Sequence, residues 1–268
     1  GQYGARATAA PESNRSRPMT QPNQMSALFS STLRIFADRF QDLLVVSVLA
    51  SVLMALLGWV LFNVILSDGA EMIQFSQDPD GNVTDVAIDG VILGAMMVLV
   101  VIVMALWVIP VTLIADGEIR DQPVDLITSL LAIPALFPRV GLVQMAWTLL
   151  IFLGWMMFFV PGIYVFARYW VVTVTSILEG RGDFQAFSRA SDLTAGFRLN
   201  FSGILIIGGA ALFMTHIILL GVLESVGFSD LFVAFTASMI TQFIFTTGLF
   251  VFQTVSYHAA LTRHGGSV

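Results

Sequence analysis

Residues 91–115 read VILGAMMVLVVIVMALWVIPVTLIA, a stretch without a single charged side chain. A helix needs about 20 such residues to cross a hydrocarbon core about 30 Å thick. Similar stretches recur along the chain, in which 57% of 268 residues are hydrophobic and 11% are charged. Soluble domains carry about 25% charged residues. The sequence therefore predicts an all-α, polytopic membrane protein.

Six membrane spans can be placed on the sequence. They cover residues 43–66, 91–115, 140–160, 162–178, 201–223 and 231–260. The turn at Pro161 and Gly162 is short, which predicts a tight helical hairpin for spans three and four. The alternative is that spans three and four form one long kinked helix. Their summed length is about twice one membrane crossing, which disfavours this alternative. Residues 25–264 form the predicted membrane domain, between a disordered or expression-derived tail (1–24) and a C-terminal tail (265–268).

The arginines indicate how the spans are oriented. All twelve basic residues are Arg, and eleven of them fall in the two terminal segments or in the second and fourth connections. The first connection, residues 67–90, has acidic residues and no Arg. Because positive residues collect on the cytoplasmic side, we expect both termini in the cytoplasm. The expected location is the inner membrane of a bacterium.

A stretch with one apolar and one Arg-bearing face precedes every second span. The three stretches are MSALFSSTLRIFADRF (25–40), VDLITSLLAIPALFPR (124–139) and DFQAFSRASDLTAGFR (183–198). Helices of this kind lie in the plane of the membrane interface. We therefore predict a threefold repeat of one interfacial helix and two spans. The alternative is that any loop beside a membrane tends to be amphipathic.

Residues 161–203 read PGIYVFARYWVVTVTSILEGRGDFQAFSRASDLTAGFRLNFSG. The order of motifs in this stretch resembles that of one bacterial membrane domain. Pro-Gly-Ile-Tyr comes first and is followed by an Arg before aromatic residues. An apolar run that ends in Glu-Gly and a helix that contains Ser and Arg come after them. That domain occurs in glycerophosphoryl diester phosphodiesterases and in related stand-alone six-span proteins. No part of these 268 residues has the length of the soluble phosphodiesterase domain, so the resemblance implies the membrane module without that activity.

Several function classes are disfavoured by composition. The net charge is −6 and Cys is absent, which argues against nucleic-acid binding and excludes thiolate chemistry. The HExxH, GxSxG and GxGxxG motifs are missing as well. We expect a non-enzymatic protein without cofactor or metal, whose partners are membrane lipids and other membrane-protein subunits.

Arg168 is the most informative single residue, because it is the basic residue placed within a span. A charge at membrane depth costs about 2.5 kcal/mol or more, and such residues often mark functional sites. With Tyr164, Tyr169 and Trp170 it is the candidate contact for an anion or lipid headgroup. The structural alternative is an Arg that bonds to carbonyl groups or extends to the outer interface.

The remaining polar candidates have simpler interpretations. His216 and Gln242 are the candidate polar residues inside the membrane, and we expect His216 to be neutral and bonded across helices. Gln253 is expected to make a similar bond. Glu179 and Asp192 are expected to pair with a cytoplasmic Arg such as Arg139 or Arg198.

Two functions follow from these observations. The leading hypothesis is a scaffold or accessory subunit of a membrane complex, since no catalytic set is present and small residues are abundant on the spans. The alternative is a transporter or a lipid- or anion-handling protein with its site near Arg168. A membrane-embedded enzyme is the third possibility.

Overall fold

A computed structural model describes residues 22–60, 73–77, 83–88, 90–225, 237, 240–241 and 243–264. This part of the chain is predominantly helical, as predicted. Its helices are α1 (Pro22–Asp38), α2 (Phe40–Val60), α3 (Gly90–Ile119), α4 (Leu126–Leu131), α5 (Ile133–Met157), α6 (Phe159–Arg168), α7 (Val172–Leu178), α8 (Asp183–Leu193), α9 (Arg198–Ser225) and α10 (Gly248–Arg263), and a π-helical turn, Phe243–Thr247, precedes α10.

Five stretches of the described chain are long and apolar enough to cross a membrane. They are Phe40–Leu57, Met97–Ile119, Ile133–Met157, Val160–Leu178 and Arg198–Leu223. The chain is thus a multi-pass membrane protein. Of the predicted sixth span, 231–260, the structure describes residues 237, 240–241 and 243–260.

The acidic first connection contains an antiparallel hairpin. Strand β1 (Ile73–Gln77) pairs with β2 (Val83–Ile88), with Ile73 opposite Ile88 and an irregularity between Ser76 and Gln77. These two strands are not among the elements predicted from the sequence. Their β-branched and aromatic residues suit an extended conformation.

The hairpin between spans three and four turns earlier than predicted. α5 ends at Met157, and Phe158 is extended (φ −169°, ψ 149°) before α6 begins. Pro161 therefore lies in the first turn of α6, where its missing N–H leaves no helical bond unmade. The two helices approach closely, because a methyl group on Gly154 would lie 2.8 Å from Cα of Gly162. The hairpin prediction is confirmed, and the position of its turn is corrected.

The second predicted interfacial segment, 124–139, is divided between two helices. Its first half forms α4, whereas its second half is the start of α5, which continues through Pro138 into the span. Pro134 lies in the first turn of α5, where proline is well tolerated. The other two segments correspond largely to α1 and α8.

The helices α3, α7 and α10 pack against one another, and all three contribute to one buried apolar cluster. α3 contributes Trp107, Val108 and Ile109 to a buried apolar cluster that also contains Val251 of α10. Between α2, α3 and the π-helical turn, Thr247 Oγ1 lies 2.6 Å from Ser47 Oγ and accepts a bond from Trp107 Nε1 at 3.1 Å. Such buried hydrogen bonds hold helices together in a bilayer, where the hydrophobic effect does not drive helix association.

Candidate functional site

Arg168 ends α6, at a break in the fourth predicted span. Its carbonyl oxygen accepts a hydrogen bond from Thr194 Oγ1 at 2.6 Å, and the chain turns through residues 169–171 before α7 begins. Its Nε donates to Ser191 Oγ of α8 at 3.1 Å. The guanidinium therefore faces the connection between α7 and α9, which the positive-inside rule assigns to the cytoplasm.

Arg198 reaches the same serine from the first position of α9. It donates through one terminal nitrogen to the carbonyl oxygen of Ser191 at 3.0 Å and to its Oγ at 3.1 Å. The other terminal nitrogen lies 3.4 Å from Tyr164 Oη. The turn between α8 and α9 contains Gly196 at φ +88°, a conformation that favours glycine. We call Arg168, Arg198, Ser191, Tyr164 and Tyr169 the arginine site.

Aromatic rings border the arginine site. The Arg168 guanidinium carbon lies 5.3 Å from the centroid of the Tyr169 ring, and Tyr169 packs edge-on against Phe187. Trp170 differs from its neighbours: it is fully buried and stacks on Phe201 with the ring centroids 5.3 Å apart. Trp170 is therefore a core residue, and its prediction as a headgroup contact is corrected.

The arginine site has an excess of positive charge. Among the described residues, no carboxylate forms an ion pair with Arg168 or Arg198. Nε of Arg198 also has no hydrogen-bond partner there. Guanidinium groups stay charged and provide several donors in a plane, which suits phosphate and carboxylate ligands. Such a site can bind an anion.

Glu179 is the centre of a second polar group, at the end of α7. Its carboxylate accepts hydrogen bonds from Arg181, from Arg189 Nε at 3.0 Å and from Tyr257 Oη at 3.0 Å. Burial disfavours the charged form, but the bonds from Arg189 and Tyr257 outweigh it, so the pKa of Glu179 lies below its ordinary value. The predicted pairing of Glu179 with an Arg is confirmed, but its partners are Arg181 and Arg189 and not Arg139 or Arg198.

Asp116 and His258 form a second pair beside Glu179, because His258 follows Tyr257 in the chain. His258 Nε2 lies 2.7 Å from Asp116 Oδ1, and Arg120 Nε lies 3.0 Å from the same oxygen. Sequence reasoning missed this pair because the second span was ended at Ala115, one residue before the aspartate. The available signal was that Asp116 and His258 both lie near the cytoplasmic ends of predicted spans. We call Asp116, Glu179, Tyr257, His258 and their arginines the acid cluster.

The remaining predicted residues have the following positions. His216 Nδ1 lies 3.3 Å from Thr241 Oγ1, so it is bonded across helices as expected. Gln242 lies outside the described residues. Arg139 donates to the carbonyl oxygen of Gly180 at 3.2 Å and not to an acid.

Two predicted polar contacts, those of Asp192 and Gln253, are not formed among the described residues. Asp192 is exposed, and no ion pair of the described residues includes it. Gln253 is fully buried, yet its amide atoms have no hydrogen-bond partner in the described part of the chain. Within the same residues, no group of three or more His, Cys, Asp or Glu side chains could hold a metal ion.

Comparison with known proteins adds no family to this description. No family model, no curated protein and no solved structure matches the chain. The resemblance of residues 161–203 to a phosphodiesterase-associated membrane domain therefore stays a prediction.

Proposed function

We propose that this protein is a non-enzymatic protein of the bacterial inner membrane that binds a phosphate-bearing anion, in the first place a lipid headgroup, at the arginine site. The observation that carries the proposal is the convergence of Arg168 and Arg198 on Ser191 without a paired carboxylate in the described chain. Two guanidinium groups held side by side repel each other, and a bound anion relieves that repulsion.

The surroundings of the arginine site favour a lipid over a free anion. Tyr164 is 47% exposed, and tyrosines are enriched where membrane and water meet. An apolar groove of about 270 Å³ lies between α9 and α10, lined by Ile204, Gly208 and Phe252 among others. The ring centroid of Phe252 lies 6.0 Å from that of Trp170, which follows Arg168 and Tyr169 in the chain. A headgroup at the arginines could thus be accompanied by an acyl chain in the groove.

Lipid retention tests the proposal. The double variant Arg168→Gln/Arg198→Gln is compared with Arg120→Gln/Arg181→Gln, which removes the same charge from arginines that already have acid partners. Native mass spectrometry of protein extracted in mild detergent would count bound phosphatidic acid and phosphatidylglycerol. Retention should fall about tenfold or more in the first variant, because each lost charge-assisted bond contributes about 1.5–3 kcal/mol.

A second arm separates the possible sources of the phosphate group. Glycerol phosphate and inorganic phosphate are offered to delipidated protein, and binding is measured by calorimetry. Binding of these ions without retention of lipid would identify a free anion as the ligand. Equal retention of lipid by both double variants, together with no binding of free anions, would reject the site.

The runner-up is a scaffold or accessory subunit of a membrane complex. It is favoured by α9, which carries small residues at 208–211 beside exposed apolar side chains such as Ile207 and Phe213. Small residues let a second helix approach closely. Copurification in native membranes tests this function: a stable partner supports it, whereas a protein that always migrates alone contradicts it.

We also propose that the protein has six spans, two cytoplasmic termini and a threefold repeat with interfacial helices. We propose further that it is related to the membrane domain that residues 161–203 resemble. The repeat is supported by two acid–glycine pairs, Asp116–Gly117 after the second predicted span and Glu179–Gly180 after the fourth. Asp116 bonds to His258 and Glu179 bonds to Tyr257, and these two partners are neighbours in the chain. Cysteine labelling from either side of the membrane would test the topology, and a label at residue 80 reacting on the same side as the termini would contradict it.

A further inference from the structure

Four buried side chains at the meeting of α3, α7 and α10 have polar atoms without partners in the described chain. These atoms are Oγ1 of Thr112, Oγ of Ser176, both amide atoms of Gln253 and Nδ1 of His258. The first three side chains are fully buried, and His258 is 5% exposed. A buried polar group without a partner is destabilising, so a group of four indicates an occupant that bonds to them.

Two contacts fix the register of α3 against the C-terminal helix. Trp107 bonds to Thr247, just before α10, and further along both segments Asp116 bonds to His258. The two helices therefore run in the same direction. Thr112 lies one turn before Asp116, on the same face of α3, and thus between these two contacts.

Two further contacts fix the register of α7 against α10. The rings of Trp170 and Phe252 meet before α7 begins, and Glu179 bonds to Tyr257 where it ends. Ser176 precedes Glu179 by about one turn, and Gln253 precedes Tyr257 by about one turn. Because residues three or four apart share a helix face, Ser176 and Gln253 lie at one level between α7 and α10.

The chemistry of the unpartnered atoms selects the occupant. The amide of Gln253 presents both a donor and an acceptor, and the hydroxyl groups of Thr112 and Ser176 can serve as either. A metal ion would satisfy only the oxygens, and an anion would satisfy only the donors. Water satisfies both, and buried waters typically make about three bonds to such groups.

We propose that α3, α7 and α10 enclose a site for bound water that links Gln253 to Nδ1 of His258. In this arrangement the proton of His258 is on Nε2 and is donated to Asp116, so Nδ1 accepts a bond from the water. The site lies directly inward of the acid cluster, and the water connects its ion pairs with the interior of the bundle. This inference is independent of the arginine site.

Solid-state NMR of the full chain in lipid bilayers tests the site. The sequence contains three histidines, and loss of one ¹⁵N signal in His258→Gln assigns His258. We expect the proton on Nε2 and rapid magnetization transfer from water to the ring. Exposed His264 provides the upper reference. A proton on Nδ1, or transfer as slow as in the apolar core, would overturn the proposal.

Gln253→Leu should reduce the water transfer to His258 at least twofold. The matched control is Gln144→Leu, because Gln144 is also buried but bonds directly to Thr173 at 2.9 Å; its replacement should leave the transfer unchanged. If Gln253→Leu does not fold, Thr112→Val and Ser176→Ala test the same site. Unchanged transfer in every variant that folds would overturn the proposal. A higher melting temperature of Gln253→Leu would do the same, since removal of a dry, unpaired amide is stabilising.

Discussion

The acid cluster and the arginine site use the same kind of side chain in opposite ways. In the acid cluster, Glu179 forms ion pairs with both Arg181 and Arg189, so each of these arginines has a carboxylate partner within the described chain. In the arginine site, Arg168 and Arg198 share the hydroxyl of Ser191 instead. The first arrangement stabilises the junction of α7, α8 and α10, whereas the second leaves charge available for a ligand. On our proposal, an arginine of this protein is structural where a carboxylate pairs with it and binds a ligand where none does.

The sharpest test compares the loss of one charge from each region. Glu179→Ala should lower the free energy of unfolding by about 3 kcal/mol, because it leaves Arg189 and Tyr257 without their acceptor. Arg198→Ala should change it by less than about 1 kcal/mol, since Arg198 has no acid partner to leave uncompensated. Unfolding in mixed micelles, followed by tryptophan fluorescence, measures both. Equal losses would remove the distinction between the two regions.

A smaller loss of stability is expected when Asp116, the other acid of the cluster, is replaced by a side chain of the same shape without charge. Asp116→Asn should reduce the free energy of unfolding by about 1–2 kcal/mol, because the amide oxygen can still accept a bond from His258 while the ion pair with Arg120 is lost. The same unfolding assay measures it, with Arg120→Gln as the control. Because both variants break the same ion pair, similar losses are expected; a clearly larger loss in Asp116→Asn would show that the bond to His258 also depends on the charge of the aspartate.

Acidification should weaken the acid cluster selectively. The pKa of Glu179 is below its ordinary value of 4.5 in the folded protein. Its stabilising contribution is therefore fully present above the unfolded-state pKa and is lost as pH falls through the folded-state pKa. The difference in the free energy of unfolding between wild type and Glu179→Gln should therefore narrow below pH 4.5. The narrowing cannot exceed the difference that the substitution causes at neutral pH. A difference that stays constant down to the lowest pH at which both proteins fold would contradict this assignment.

The smallest effect is expected at Asp192, which is exposed and follows Ser191 of the arginine site. Asp192→Asn should change the free energy of unfolding by less than about 0.5 kcal/mol. Lipid retention should be equal or slightly higher, because a negative charge near the anion is removed. Weaker retention would show that Asp192 helps to build the arginine site.

Much of the architecture could be predicted because a bilayer constrains a chain through simple quantities. Length and hydropathy locate the spans, and the distribution of arginine predicts their orientation, since both depend on single residues and their place in the sequence. The same reasoning singled out Arg168, whose charge is unusual within an apolar stretch. It overlooked Asp116 because the predicted span ended at the last apolar residue, whereas α3 continues to Ile119.

The sequence by itself thus determined that this chain is a multi-pass membrane protein with an isolated arginine in its fourth apolar stretch. Only the tertiary structure decided which groups meet: Arg168 with Arg198, Asp116 with His258, and Glu179 with Tyr257. It also assigned Trp170 to the core. The reason is that partners far apart in the chain are brought together by helix packing and register, which depend on how all the helices fit and not on the hydropathy of any one of them.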